Sequence, residues 1–176
     1  DPFITTGANL VGIWHQFPKS SIFGGGHVNI AALQLRVAVT DRLAFIATQD
    51  GIAFLDADLD VLRRQTDLMD MTVGFKYALI DRPETGVIVT LLELDRDVGP
   101  GLVHGVIVTP SLRFRIPSGS RDVLQGNGDG VFIPGLSFGW GSPEGVHFLG
   151  NLGSELPVDG GATSTSIFWN MHVDYN

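Results

Sequence analysis

The sequence contains no cysteine. That excludes a disulfide framework and any thiolate metal site, and it suits an exported chain. Lysine is nearly missing: of the eleven basic residues only Lys19 and Lys76 are lysines, whereas a water-facing surface normally carries more. Positive charge as a whole is outnumbered, with 11 Lys and Arg against 19 Asp and Glu and a net charge of −8, so no basic patch offers itself to nucleic acid. No apolar run approaches the ~18 residues of a transmembrane helix. Helical periodicity is nearly absent as well. The one candidate is Asp56–Asp70, where Leu59, Leu62 and Leu68 fall near helical spacing. The chain opens on Asp1 with neither Met nor a signal sequence, as a mature or trimmed product would.

What the chain does have is glycine, 23 residues of it, together with 44% hydrophobic residues and a mean hydropathy of +0.22. Glycine suits tight turns and crowded barrel interiors. A length of 176 residues is enough for one domain with a sizeable core or one small barrel, and we read residues 1–176 as a single domain.

The dominant pattern is alternation. In Val106–Trp140, Leu112, Phe114 and Ile116 alternate with Ser111, Arg113 and Arg115. After a polar, turn-rich centre, Phe132, Leu136, Phe138 and Trp140 alternate with Val131, Ile133, Gly135, Ser137 and Gly139. Period two means strands with two unlike faces, so this stretch reads as a long-looped β-hairpin. One face is greasy and aromatic; the other is small or basic. A soluble sandwich would normally put Lys, Glu and Thr on its wet face. A membrane barrel turns its apolar face to lipid and its polar or small face inward, which fits this pattern better.

The same reading extends along the chain. Gly7–Phe17 is a first strand with the least regular pattern. Val28–Val39 sets Ala31, Leu33, Leu35, Val37 and Val39 against Ala32, Gln34, Arg36 and Ala38. Thr40-Asp41-Arg42 is a tight turn before the strand Leu43–Leu55. Met71–Ile80 sets Met71, Val73, Phe75, Tyr77 and Leu79 against Thr72, Gly74, Lys76 and Ala78. Asp81–Thr85 (DRPET) reads as a turn. GVIVT occurs at Gly86–Thr90 and again at Gly105–Thr109; we read the pair as a duplicated strand segment joined through a turn at Asp95–Gly101. Pro110 is expected to kink or end the second copy. Val146–Leu156 and Ser164–Tyr175 complete the set, with His147, Asn151 and Glu155 on the polar face of the former and Asn170, His172 and Asp174 on that of the latter. The count comes to nine strands, with short and long connections alternating as they do in outer-membrane barrels.

Several of these segments resemble one family. MTVGFKYALI (Met71–Ile80) and VTPSLRFRIPSGSRD (Val108–Asp122), with FGGG (Phe23–Gly26), AVTDRL (Ala38–Leu43) and LPVDG (Leu156–Gly160), resemble outer-membrane β-barrel proteins of the phenol meta-pathway, MetA-like or transporter-like type. The resemblance implies an outer-membrane barrel taking up small, often hydrophobic molecules, and it brings no catalytic residues.

Motifs that suggest other chemistry have simpler readings. Gly135-Leu-Ser137-Phe-Gly139 matches the hydrolase pattern G-x-S-x-G, but a nucleophile elbow needs a strand, a sharp turn and a helix, and here the serine lies within an alternating strand. Asp56-Ala-Asp58-Leu-Asp60 starts like a calcium loop, yet Val61 stands where the EF-hand turn needs Gly, and Asp67 where it needs Glu. Gln125–Gly130 (QGNGDG) is a turn before it is a cation site. The histidines His15, His27, His104, His147 and His172 show no metal-ligand spacing.

The expected fold is therefore all-β: an antiparallel up-and-down transmembrane β-barrel of about 8–10 strands, or a portion of a larger one. The expected function is an outer-membrane channel or transporter for small molecules, placed in the bacterial outer membrane, with membrane lipid and a small solute as its partners, no nucleic acid, no cofactor, no metal and no enzymatic activity. Gln34, Arg36, Lys76, Arg113, Arg115, His147, Glu155, His172 and Asp174 are the candidate lumen-lining residues. The alternative is a soluble β-sandwich or jelly-roll binding module, such as a carbohydrate-binding domain, with the same alternation turned inside out.

Overall fold

A computed structural model describes residues 2–22, 24–58, 64–83, 105–142, 144–161 and 164–175. They form an all-β, antiparallel structure whose only helical element is one 3-10 turn at Arg121–Val123. The strands are β1 (Gly7–Gln16), β2 (Gly26–Ala38), β3 (Leu43–Ala57), β4 (Gln65–Leu68), β5 (Met71–Tyr77), β6 (Ile80–Pro83), β7 (Gly105–Ile116), β8 (Val131–Gly141), β9 (Val146–Pro157) and β10 (Ser166–Tyr175). All belong to a single curled sheet in the order β1-β2-β3-β5-β7-β8-β9-β10, with β4 also paired to β3 and β6 to β7. Every neighbour on that path follows its predecessor in the chain, so the topology is a meander.

Ten strands fill eight positions because one of them, between β3 and β7, is interrupted twice. β4 and β5 lie end to end along β3, and β5 and β6 lie end to end along β7. The second interruption explains Pro110, which does not end its strand. β7 runs straight through it, with Pro110 opposite Leu136 of β8. On its other side the partner changes there from β6, ending at Val108, to β5, beginning at Ser111. A residue without an N–H is tolerated where the ladder is already broken. In place of the ladder, Leu79 N–H donates to the Val108 carbonyl at 2.9 Å, and Ala78 N–H to that of Arg42 at 2.8 Å.

Two other expectations need correction. The segment Asp56–Asp70 contributes strand at both ends, β3 to Ala57 and β4 from Gln65, rather than helix; residues 59–63 lie outside the described ones. Asp81–Pro83 of DRPET continues as β6 instead of turning. The first GVIVT copy and the turn at 95–101 lie outside the described residues, as does His104. The hairpin Val106–Trp140 is present as β7 and β8, joined by residues 117–130. The short connections are built as their composition suggests: Thr40 Oγ1 accepts from the N–H groups of Arg42 and Leu43 at 3.2 and 3.0 Å.

Side chains alternate across this one sheet, and the register sets large apolar residues of neighbouring strands opposite one another on one face. On the convex face Phe45 sits opposite Phe75, Phe75 opposite Leu112, Phe114 opposite Phe132, Leu136 opposite Leu152, and Leu152 opposite Trp169. Its rings pack on one another: Phe45–Phe75 at 5.5 Å, Phe114–Phe132 at 4.9 Å and Phe138–Phe148 at 5.7 Å between centroids. This face is nevertheless open. Phe75 is 53% exposed, Leu112 55% and Trp169 68%. The concave face carries the buried side chains, and they are small or polar as often as apolar: Ala32, Ala44, Ala53, Ala78, Thr72, Thr109 and Lys76 beside Ile46, Leu55, Val131 and Ile133.

Gly150 is closely covered on the outer face. A Cβ there would collide with the ring of Phe138, which lies across it, an arrangement in which an aromatic covers a bare backbone. Gly150→Val is expected to displace that ring and cost about 1–3 kcal/mol of stability as an overpacked site, read from a urea unfolding curve. Gly12→Val, where nothing lies within 4 Å, is the neutral comparison.

Candidate functional site

The strand register brings all nine sequence-selected residues onto the concave face. Asn9 faces Gln34 and Gly7 faces Arg36; Arg36 faces Ile46 of β3, Gly74 faces Arg113, and Lys76 faces Ser111. Farther across, Ser137 faces Asn151, Gly153 faces Phe168, and His147 faces Asp174. The nine residues occupy three levels along the strands.

The middle level is a pocket of about 190 Å³. Gln34, Arg36, Lys76 and Arg113 line it, together with Asn9, Ile46, Thr48, Thr109, Ser111, Gly135, Leu136, Ser137, Asn151, Leu152 and Phe168. Both edge strands contribute, β1 through Asn9 and β10 through Phe168, so the sheet curls around this space. Among the described residues that line it are three basic side chains and no carboxylate. Lys76 is only 5% exposed. Arg113 lies over Gly74, where an added Cβ would come within 2.8 Å of its Cγ, and its guanidinium carbon stands 6.0 Å from the centre of the Phe168 ring, at the outer limit of a cation–π contact. Phe168 in turn covers Gly153.

The level nearest the 117–130 loop is an ion pair, Arg115 with Glu155, whose side chains are 21% and 25% exposed. Arg115 also lines a smaller cavity of about 120 Å³ under that loop, with Asp70, Gln125 and Gly130. The opposite level, near the Ser142–Val146 turn, gathers His147, Asp174 and His172. Asp174 bonds His147 Nδ1 at 2.7 Å and His172 Nε2 at 3.0 Å. Among the described residues no group of three His, Cys, Asp or Glu side chains is arranged to hold a metal ion. Ser137 of the G-x-S-x-G motif lies in mid-β8 opposite Thr109 and Asn151, not on an elbow.

Three features of the site carry no strong sequence signal. The first is the segment before β1, which lies against the concave face. Pro2 is fully buried. Its carbonyl accepts from Thr109 Oγ1 at 2.6 Å, the Phe3 carbonyl accepts from Lys76 Nζ, and Thr6 Oγ1 accepts from Ala38 N–H at 3.0 Å. The second is Asp70, whose Oδ1 accepts from Gly119 and Gly126 N–H at 3.0 and 2.9 Å and so ties the long loop to the break between β4 and β5. The third is Phe168, an aromatic ring on the polar face of β10.

Thr109→Val keeps the shape of the side chain but leaves the buried Pro2 carbonyl without this donor. An unsatisfied buried acceptor costs about 1–3 kcal/mol. The expected result is earlier protease cleavage within residues 2–6, followed by mass spectrometry, with the sheet itself intact by circular dichroism.

Comparison of the chain with models of protein families, with curated proteins and with solved structures finds no match.

Proposed function

We propose that this chain forms the wall of an outer-membrane β-barrel and passes or holds a small solute on its concave face. The observation that supports this reading is the inverted burial. The large apolar side chains, Leu33, Leu35, Phe75, Leu112, Phe132, Trp169 and Met171 among them, stand exposed on the convex face, while Arg36, Lys76 and Arg113 line the enclosed side. In water this arrangement wastes the hydrophobic effect and buries charge. Against lipid both features become favourable, because hydrocarbon takes the apolar face and the polar groups stay with water or with one another. Strand lengths agree: β1 and β10 have 10 residues, and β7 and β9 have 12, against ~9–11 for a tilted membrane-crossing strand. The short segments that resemble MetA-like outer-membrane barrels, such as Met71–Ile80 and Val108–Asp122, are in keeping with this reading.

A sandwich or jelly roll would pack two sheets on a common apolar core. Here one sheet carries every described strand, and among the described residues none forms a second layer on its apolar face. Expression in a Gram-negative host followed by membrane fractionation tests the proposal. The chain is expected in the outer-membrane pellet, resistant to carbonate and released by detergent. A monodisperse, detergent-free monomer with the same sheet content would overturn it.

A further inference from the structure

We propose that residues 2–6 form a strap that closes the concave space at the end carrying the Thr40–Arg42 and Ser142–Val146 turns, and that release of the strap opens that end to solute. The inference deepens the solute-barrel reading by naming how its passage is regulated. It rests on that reading for the passage of solute, and on its own contacts for the strap.

Contacts with β2, β5, β7 and β8 fix the path of the strap. Thr6 Oγ1 accepts from the N–H of Ala38 on β2 at 3.0 Å. The Phe3 carbonyl accepts from Lys76 Nζ on β5. The Pro2 carbonyl accepts from Thr109 Oγ1 on β7 at 2.6 Å, and Pro2 Cγ lies 3.4 Å from where a Cβ would stand on Gly139 of β8. Ala44 of β3 stands between Ala38 and Lys76 in the register, beneath the span from Thr6 to Phe3, and it is fully buried. Thr109 and Pro2 are fully buried as well. From β2 through β3, β5 and β7 to β8, strand spacings of ~4.8 Å add up to about 19 Å of wall. Residues 2–6 reach only about 14 Å at full extension. The strap is therefore shorter than the arc it joins, and it crosses the curl as a chord.

Lys76 and Thr109 also line the 190 Å³ pocket, so the strap borders that space on one side. The ladder of β1 with β2 begins at Gly7, after the strap. The strap's bonds to the wall run to two side chains and one strand-end N–H, and its release leaves every described strand pair in place. A segment held in this way opens at a lower free energy than the sheet beneath it, as a gate must.

The experiment uses the full chain in the detergent that keeps it monodisperse. The chain has no cysteine, so Ala44→Cys places a single thiol beneath the strap. Its rate of alkylation by iodoacetamide is read by mass spectrometry. Replacing residues 2–6 by Gly-Ser-Gly-Ser-Gly should speed that reaction by about tenfold or more, because a thiol protected by a local closed state becomes open. Thr109→Val, which removes one hold on the strap, should give an intermediate rate. Thr109→Ser, which keeps the hydroxyl, should give the parent rate. If circular dichroism shows that the replaced chain does not fold, the valine and serine variants decide. Equal rates in the folded variants overturn the strap. In a planar bilayer the replaced chain should conduct more than the parent, and faster alkylation with unchanged conductance overturns the gate. A chain absent from the outer-membrane fraction fails the barrel reading instead, while the alkylation rates still decide the strap.

Discussion

Glu155→Leu is expected to destabilise the fold by roughly 3 kcal/mol, the low end of what breaking a buried ion pair costs. The carboxylate pairs with Arg115 on the concave face, and the two side chains keep only a quarter and a fifth of their surface in solvent. Removing the acid leaves Arg115 without its counter-charge, two residues from Arg113 on the same strand face. Most of the loss is the penalty of that stranded cation and not the worth of the pair, so Arg115→Met combined with Glu155→Leu should recover most of it. Urea unfolding of the two single variants and the double variant completes the cycle. A double variant as unstable as Glu155→Leu alone would place the energy in packing.

The second large effect is Phe75→Arg. Phe75 stands in the middle of β5, in edge-to-face contact with Phe45 and opposite Leu112, with about half of its surface open. An arginine on the lipid face near the bilayer midplane costs ~2–4 kcal/mol. The same substitution at a half-exposed position in water loses part of one aromatic contact, about 0.5–1.5 kcal/mol. Unfolding measured in phospholipid vesicles and again in a detergent micelle should show the larger penalty in the bilayer. Equal, small effects in both would remove this face from the membrane.

The alternation of residues carried much of the fold because a strand's side-chain period is two and the meander pairs each strand with its chain neighbour. Once Leu112, Phe114 and Ile116 share a face, hairpin pairing hands the same face to Phe132 and Leu136, and a one-residue slip would exchange every side chain. That is why Arg36, Lys76, Arg113 and Glu155 share one side of the sheet, as their strands' patterns require. Features that depend on a partner strand were not legible. Pro110 reads as a strand end until the gap between β5 and β6 beside it is known. Asp70 reads as an ordinary loop acid, since its two backbone donors come from residues 49 and 56 positions away. Phe168 breaks its strand's polar face, and the reason, bare backbone at Gly153, lies on β9. The burial of Pro2 against Thr109 spans 107 residues and leaves no local trace.

The absence of cysteine makes the central claim directly measurable, because any single cysteine can be labelled alone. Nitroxide labels at positions 75, 112 and 169 of the convex face, and at 111 and 137 of the concave one, are compared in reconstituted vesicles for collision with oxygen, which concentrates in lipid, and with a water-soluble nickel chelate. Oxygen should dominate at Phe75, Leu112 and Trp169, with the preference reversing between the adjacent positions 111 and 112. Convex positions that collide mainly with the nickel chelate would contradict a lipid-facing wall.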